Sequence, residues 1–263
     1  MLVPDRRIVV FWNHCQQPPR HEGDGVYGGR DALHATISSD EGATWHGFRE
    51  IYRDPFRNES PPHQGDRGTA YPLATVNADG DVILVTGQGN RRAMLRIDPE
   101  WLLEQEQTDD FSDGLAAWHV WKPFGPAERY WRDRTVGAEL VQHPGDAARR
   151  VLHVRRPDEL DPDTAIWSFP RTTNGRLAVR MRKQAGSQGQ ALSLVDRFFD
   201  PNDDRALASA FATAHIDADG RLGADTRLEP DAWHTVEFRW SVGPPSCRLY
   251  LHGALAADLA TSG

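Results

Sequence analysis

The sequence predicts an all-β chain, and three observations predict it. Short apolar or alternating runs of strand length recur from end to end, separated by Gly, Pro, Asp and Asn. No stretch keeps a helical period over three turns. Turn-forming tetrads such as Asn77-Ala78-Asp79-Gly80 and Gly87-Gln88-Gly89-Asn90 fall between the runs. With 263 residues, 39% of them hydrophobic and 26% charged, the chain is long enough to bury a core in one or two domains.

In chain order, the first part offers strands over Arg7 to Asn13, Ala32 to Ser38, Phe48 to Tyr52, Ala70 to Val76, Asp81 to Thr86 and Ala93 to Ile97. Each is an apolar or alternating run bounded by turn residues. The one helix expected is short, over Pro99 to Gln105, because Asp98 suits the cap and Pro99 the first turn. A composition shift follows: Glu104 to Gly114 is polar and acidic and reads as a linker. The expected domains are therefore 1–105 and 106–263. Beyond the shift, strands are expected over Val151 to Arg155, Ala165 to Phe169, Leu177 to Arg182, Ala191 to Phe198, Ser209 to Ile216, His234 to Trp240 and Cys247 to His252. Runs at that spacing fit a β-sandwich.

Composition excludes several functions. No apolar run approaches the roughly 18 to 20 residues that span a bilayer. The formal net charge of -8, with basic residues scattered, leaves no electrostatic footprint for nucleic acid. Cys15 and Cys247 fit neither a zinc site nor a disulfide scaffold. The start, Met1-Leu2-Val3-Pro4-Asp5-Arg6, lacks the layout of a secretory signal. Only Lys122 and Lys183 supply lysine, so arginine carries most of the positive charge, and arginine suits bidentate contacts with carboxylates.

One motif carries specific information. Ser38-Ser39-Asp40-Glu41-Gly42-Ala43-Thr44-Trp45 fits S-x-D-x-G-x-T-W at every fixed position. Asp40 can accept backbone N–H groups in a turn, Gly42 supplies a positive φ, the Thr44 hydroxyl can close the turn, and Trp45 can pack beneath it. This is the Asp-box, or bacterial neuraminidase repeat, and it resembles the turn between the outer strands of blades in sialidase-like β-propellers. In that fold Ser38, Asp40, Gly42, Thr44 and Trp45 serve structure and touch no substrate.

The resemblance extends around the box. Gly29-Arg30-Asp31-Ala32-Leu33-His34-Ala35 is similar to the place where sialidases carry the third arginine of a carboxylate-binding triad. Gly68-Thr69-Ala70-Tyr71-Pro72-Leu73-Ala74 and the strand Val82-Ile83-Leu84-Val85 are similar to the segment of the nucleophilic tyrosine, with Pro72 in place of the usual small or polar residue and Gly87-Gln88-Gly89 ending the strand. The resemblance implies an exo-α-sialidase-like glycoside hydrolase acting on an acidic glycan. In such a site Arg30 grips a sugar carboxylate by two parallel hydrogen bonds, and Tyr71 attacks the anomeric carbon. Two alternatives stay open. In a polysaccharide lyase of the same fold, Tyr71 acts as general base or acid on a uronic acid, Arg30 neutralises the carboxylate and His34 carries a proton. A non-catalytic carbohydrate-binding protein keeps the scaffold alone. Against these stand plain readings: Arg30 as a surface ion-pair residue, His34 as a core histidine. Arg53, Arg57 and Arg67, in a Pro- and Arg-rich loop over Tyr52 to Arg67, are further candidates for binding an acidic sugar.

Other clusters carry less. His14, His21, His34 and His63 with Glu22, Asp24 and Asp66 imitate a metal site, but no two histidines have a ligand spacing that a strand or helix brings together. No cofactor is expected. Asp200, Asp203 and Asp204 are oxygen-rich like a calcium loop yet lack the spaced ligand pattern, and a solvated turn explains them as well. The second part resembles laminin-G or concanavalin-like sandwiches, through Trp233-His234-Thr235-Val236 and Cys247-Arg248-Leu249-Tyr250-Leu251-His252-Gly253, with His252 where the pattern has Asp.

Length completes the expectation. Blades need about 40 to 50 residues each, and the sialidase resemblance implies six of them, whereas the first part accommodates roughly two. The expected fold is thus a partial β-propeller plus a β-sandwich, or jelly-roll, missing its last strand after Gly253. By the resemblance the chain is the C-terminal blades of a larger, extracellular or periplasmic parent. The other two arginines and the acid/base carboxylate belong to the missing blades, so this chain alone lacks a complete active site.

Overall fold

The computed structural model describes residues 1–14, 32–53, 69–87, 92–121, 138–155, 163–195, 208, 210–223 and 226–262. The described chain is all-β, as its sequence predicts. It divides into two compact units, Met1–Arg171 and Thr172–Gly263; the composition shift at 105/106 lies inside the first.

The first unit begins with two antiparallel three-stranded meanders. One runs β1 (Ile8–His14), β2 (Ala32–Ser38) and β3 (His46–Arg53); the other runs β4 (Leu73–Val76), β5 (Val82–Thr86) and β6 (Ala93–Ile97). Alternation along each strand sends one set of side chains inward. Val9, Leu33, Ala35 and Ile37 from the first meander share a core with Val82, Leu84 and Ile97 from the second, joined by Val3 and Leu102. Burying each aliphatic side chain contributes on the order of 1.5–3 kcal/mol. Hydrogen bonds between the meanders fix which ends meet. Asn13 Nδ2 donates to Thr69 O at 2.5 Å and to Thr69 Oγ1 at 2.9 Å, and within the second meander Gly87 N and Thr86 Oγ1 donate to Ala70 O at 2.9 and 3.2 Å.

The expected helix is a single 3-10 turn, Pro99–Leu103, capped by Asp98, whose carboxylate accepts from Glu100 N. It is held against β3 by Arg49, which is only 5% exposed. The guanidinium lies 3.8 Å over the Trp101 ring, donates to Trp101 O, and donates through Nη2 to Gln107 Oε1 at 3.1 Å. Gln107 in turn donates to Ser168 O at 2.8 Å, so the polar stretch after the 3-10 turn is tied down at this point. Gly47 allows the close approach: its φ is +64°, and a Cβ there would lie 2.2 Å from Leu102 O. The unit continues with β7 (Trp118–Trp121), β8 (Glu139–His143), β9 (Asp146–His153) and β10 (Thr164–Trp167), paired as β7 with β10 and β8 with β9.

The second unit contains β11 (Asn174–Arg182), β12 (Gly189–Leu194), β13 (Ala212–Asp217), β14 (Trp233–Val242), β15 (Pro245–Leu251) and β16 (Ala254–Leu259). Four of them form one antiparallel sheet in the order β11-β14-β15-β16, and β12 pairs with β13. One face of the four-stranded sheet is apolar, with Val236, Phe238, Cys247 and Leu249 buried. There Gly175 sits opposite Trp240, and a Cβ on Gly175 would meet the indole at 2.2 Å.

Three departures from expectation have physical causes, two of them local. The strand expected from Ala70 begins only at Leu73, because Tyr71 adopts φ 53° and Pro72 has no N–H to give a ladder. A strand, β16, does follow Gly253. His252 and Gly253 both have positive φ, 50° and 85°, which is the pair a two-residue hairpin needs, and the ribbon turns back at once. Strands β7 and β8 were not anticipated; β7 finds its partner β10 more than forty residues on, beyond any local pattern.

Replacing Gly47 by Ala is expected to destabilise the first unit by ~2–3 kcal/mol, since it combines left-handed strain with a backbone clash. Gly80→Ala is the reference: its φ is also positive, +95°, but a Cβ there meets nothing within 4 Å. Thermal melting of the two variants should put Gly47→Ala clearly lower.

Candidate functional site

The Ser38–Trp45 turn between β2 and β3 is closed by its own side chains. Ser38 Oγ accepts from Gly42 N at 2.9 Å and donates to Asp40 Oδ1 at 2.8 Å. Asp40 Oδ1 accepts from Thr44 N at 2.8 Å and Oδ2 from Thr44 Oγ1 at 2.5 Å. Gly42 has φ +91°, and Trp45 passes so close that a Cβ on Gly42 would touch its Cζ2 at 3.4 Å. These bonds favour the ionised carboxyl. The Thr44 hydroxyl first, then the Thr44 backbone N–H and Ser38, bring the Asp40 pKa down to about 2.

A similar solution recurs without the motif. In Asn77–Asp81, Asn77 Oδ1 accepts from Asp79 N at 3.0 Å and from Asp81 N at 2.9 Å, and Asp81 Oδ2 accepts from Arg96 Nε at 2.5 Å. In Asp217–Arg221, Asp217 Oδ1 accepts from Arg221 N at 2.8 Å. Asn and Asp fit these places because a short side-chain oxygen reaches an N–H two to four residues on.

Of the candidate residues, the backbone of Arg53 and the segment of Tyr71 lie at the other end of the two meanders. Ala32 pairs with Arg53 and His14, Leu33 pairs with Asn13, and Asn13 is bonded to Thr69. Ser38 lies six residues further along β2 than Ala32, about 20 Å at the rise of a strand. The Ser38–Trp45 turn is therefore remote from the end to which Arg53 and Tyr71 belong. Tyr71 is 65% exposed in a left-handed backbone, a conformation of high cost for a bulky residue. Buried Thr69 and Thr86 flank Ala70 and hold the segment from both sides. Arg30, Arg57 and Arg67 lie outside the described residues, as do the side chain of Arg53 and the acidic residues Asp200, Asp203 and Asp204.

His34 sits within β2, on the face turned away from Leu33, Ala35 and Ile37, and is 6% exposed. Its ring stacks on Trp12 at 5.7 Å between centroids, and Trp12 meets Phe48 edge-on at 6.2 Å. Glu50 is its direct cross-strand neighbour on β3. Trp12, Asn13 and Glu50 were not singled out by the sequence reading. The signal for them is register: only when β1, β2 and β3 are aligned does Glu50 face His34 and Asn13 reach Thr69. Cys247 is buried, and burial pushes its thiol up to about 11, which leaves it protonated and unreactive at neutral pH. Among the described residues no group of three or more His, Cys, Asp or Glu is placed to hold a metal ion, and no helix is long and apolar enough to cross a membrane.

No protein-family model and no curated protein matches the sequence. Among solved structures, the chain is similar to one described as a sialidase, with 16% identity, a TM-score of 0.42, and coverage of 100% of this chain and 27% of that one. The chain thus spans about a quarter of the length of that protein.

Two outcomes follow from the geometry. The folded-state pKa of Asp40 is depressed from 3.8 to about 2, so its stabilisation is present above pH 4 and is lost as the pH falls towards 2. Asp40→Ala should lower the melting temperature at pH 7 and flatten that acid slope, as a melting series from pH 7 to pH 2 will read. Tyr71→Gly removes the left-handed strain and should raise stability by ~1 kcal/mol in the same assay.

Proposed function

We propose that the chain belongs to a carbohydrate-active protein of the sialidase type, acting on an acidic glycan, and that the end of the meanders bearing Tyr71 and the residues leading into Ala32 is its sugar-binding end. The observation that carries this reading is the strained, solvent-facing Tyr71, which follows a Thr69-Ala70 segment bonded by Asn13 and Thr86 at the end remote from the S-x-D-x-G-x-T-W turn. Strain kept at an exposed aromatic residue by buried polar neighbours is a mark of a working site. In the reading Arg30 forks onto the sugar carboxylate, with Arg53, Arg57 and Arg67 around it, and Tyr71 presents its phenol to the anomeric carbon. His34 and Glu50, paired across β2 and β3, support the site from beneath. The two meanders stand for blades of a partial propeller, and the portion from 106 onward for a laminin-G or concanavalin-like sandwich.

The chemistry asked of Tyr71 is nucleophilic attack on the anomeric carbon as the glycosidic C–O bond breaks, with the phenol proton passing to one carboxylate and the aglycone oxygen protonated by an acid, both supplied from elsewhere in a complete site. Lyase chemistry on a uronate uses the same arginine, with Tyr71 as phenolate taking the C5 proton while the C4–O bond breaks and the C4–C5 double bond forms. Binding without turnover is favoured by one feature, Pro72 directly after Tyr71. It fixes the backbone beside the phenol and leaves no N–H there to donate to a reacting oxygen.

The test is binding of N-acetylneuraminic acid against neutral lactose, followed by ligand-observed NMR on the whole chain. Saturation transfer to the acidic sugar is expected, absent for lactose, and reduced about tenfold or more in Arg30→Gln through loss of the bidentate contact. Equal response to both sugars, or an Arg30→Gln variant indistinguishable from the parent chain, would defeat the reading. Tyr71→Phe should spare this binding, because the reading asks the phenol to react and leaves the grip on the carboxylate to arginine.

A further inference from the structure

The exposed face of the four-stranded sheet in the second unit breaks a rule of strand pairing. Arg176 on β11 lies directly opposite Arg239 on β14, and Arg239 directly opposite Arg248 on β15. Like charges in directly opposed positions destabilise a sheet, and adjacent Cα atoms in such a row are only about 5 Å apart. All three arginines are exposed, with side chains 67%, 50% and 62% accessible. The row ends on β16 at Asp258, whose Oδ1 accepts from Arg248 Nε at 3.3 Å.

The row is held in place from below. Glu237, next along β14 on the same face, is only 4% exposed. Its two oxygens are divided between two arginines: Oε2 meets Arg176 Nη2 at 2.6 Å, and Oε1 accepts from Arg239 Nε at 2.5 Å. Arg239 also lies 4.2 Å over the ring of Tyr250, and Arg180, on the same face of β11, lies 5.4 Å over Trp233. One buried carboxylate thus orders two guanidiniums while accepting from a single edge of each. A guanidinium has five N–H donors, so both keep donors directed elsewhere. The result is a pre-ordered line of positive forks flanked by two aromatic rings, at positions where the core requires nothing of them.

We propose that this sheet face binds the carboxylates of an acidic oligosaccharide, at a site separate from the one assigned to Tyr71. That the ligand is a sugar rests on the carbohydrate reading above; that it is anionic rests on the arginine row alone. The spacing of charge favours a glycan over a nucleic acid. Duplex DNA presents a negative charge about every 1.7 Å, whereas uronate or sialate chains carry at most one carboxylate per ring. Glu237 and Asp258 among the arginines, together with the net charge of -8, oppose a dense polyanion and tolerate a sparse one. Tyr250 and Trp233 add apolar surface for the C–H faces of a sugar ring.

The experiment is isothermal titration of the whole chain with oligogalacturonate, with a neutral maltooligosaccharide and with a single-stranded oligonucleotide, at low and at moderate salt. Oligogalacturonate should bind, more weakly as salt rises, and Arg239→Gln and Arg248→Gln should each weaken it by about fivefold or more, as loss of a charge-assisted contact requires. Arg221→Gln, off this face, should leave the affinity unchanged. Arg239→Gln removes a partner of buried Glu237; if it fails to fold by circular dichroism, Arg248→Gln, which leaves both Glu237 contacts intact, decides. Absence of binding, affinity unaltered in these variants, tighter binding of the oligonucleotide, or equal binding of the neutral sugar would each overturn the proposal. The last outcome would leave the carbohydrate reading standing. Conversely, oligogalacturonate binding that is lost in Arg248→Gln, with the response to N-acetylneuraminic acid in Arg30→Gln indistinguishable from that of the parent chain, would sink the Tyr71 site and keep this one.

Discussion

The carboxylate of Asp40 accepts from the backbone and the hydroxyl of Thr44, and this closure fixes the Ile37–His46 end of the β2–β3 pair, from which the pairing runs on through two irregularities. Register matters more here than in a larger sheet. The two meanders have strands of four to eight residues, and a slip of one residue reverses every side chain. In β2 it would carry Leu33, Ala35 and Ile37 out of the core and put His34 and Thr36 in their place. The core shared with Val82, Leu84 and Ile97 would then face a histidine and a threonine hydroxyl. A turn that allows one alignment is thus a condition for the packing above it. The second meander meets the same need with the amide of Asn77 in place of a carboxylate.

With those turns fixed, the rest of the first unit follows from contact with them. The 3-10 turn can lie on β3 only because Gly47 has no Cβ, and Arg49 then spans the gap from β3 to Trp101 and Gln107. Burying a guanidinium is unfavourable and pulls its pKa down, an effect countered by Glu104. The arginine repays this by satisfying a carbonyl at the end of the 3-10 turn and by packing flat on an indole. An apolar residue of similar length would leave Trp101 O without that donor.

What was legible in the sequence was whatever local chemistry decides. β2 and β6 were delimited correctly because apolar content and turn residues mark both their ends. The Asp98-Pro99 start was legible as a cap, although its continuation was not, since i to i+3 bonding depends on what the turn packs against. β16 escaped because Ala254, Ala256 and Ala257 have little strand preference; the paired positive φ values at His252 and Gly253 impose the strand. The Tyr71 segment was identified as a candidate from its residues, but its left-handed backbone and its bond to Asn13 are consequences of how two meanders meet. The arginine row was invisible for the same reason. Arg176 and Arg239 stand far apart in the chain, and nothing near either residue announces the other.

Tyr71 and the arginine row are two places among the described residues where local rules are broken on the surface, and they are maintained in a common way. A bulky residue in the left-handed region and three like charges in one row are both unfavourable, and neither contributes to a core. Each is nevertheless surrounded by polar groups that are themselves costly to bury: Thr69 and Thr86 beside the tyrosine segment, Glu237 beneath the arginines. Removing these groups and the exposed residues together would leave a simpler fold with fewer buried polar atoms and less repulsion. Stability alone gives no reason to keep either arrangement, which is why the two proposals rest on these places. Glu237 makes the point most directly. The guanidiniums hold its carboxyl below the usual range, Arg176 above all. Its two oxygens are the groups to which Arg176 and Arg239 bond, so both forks are ordered by the fold itself.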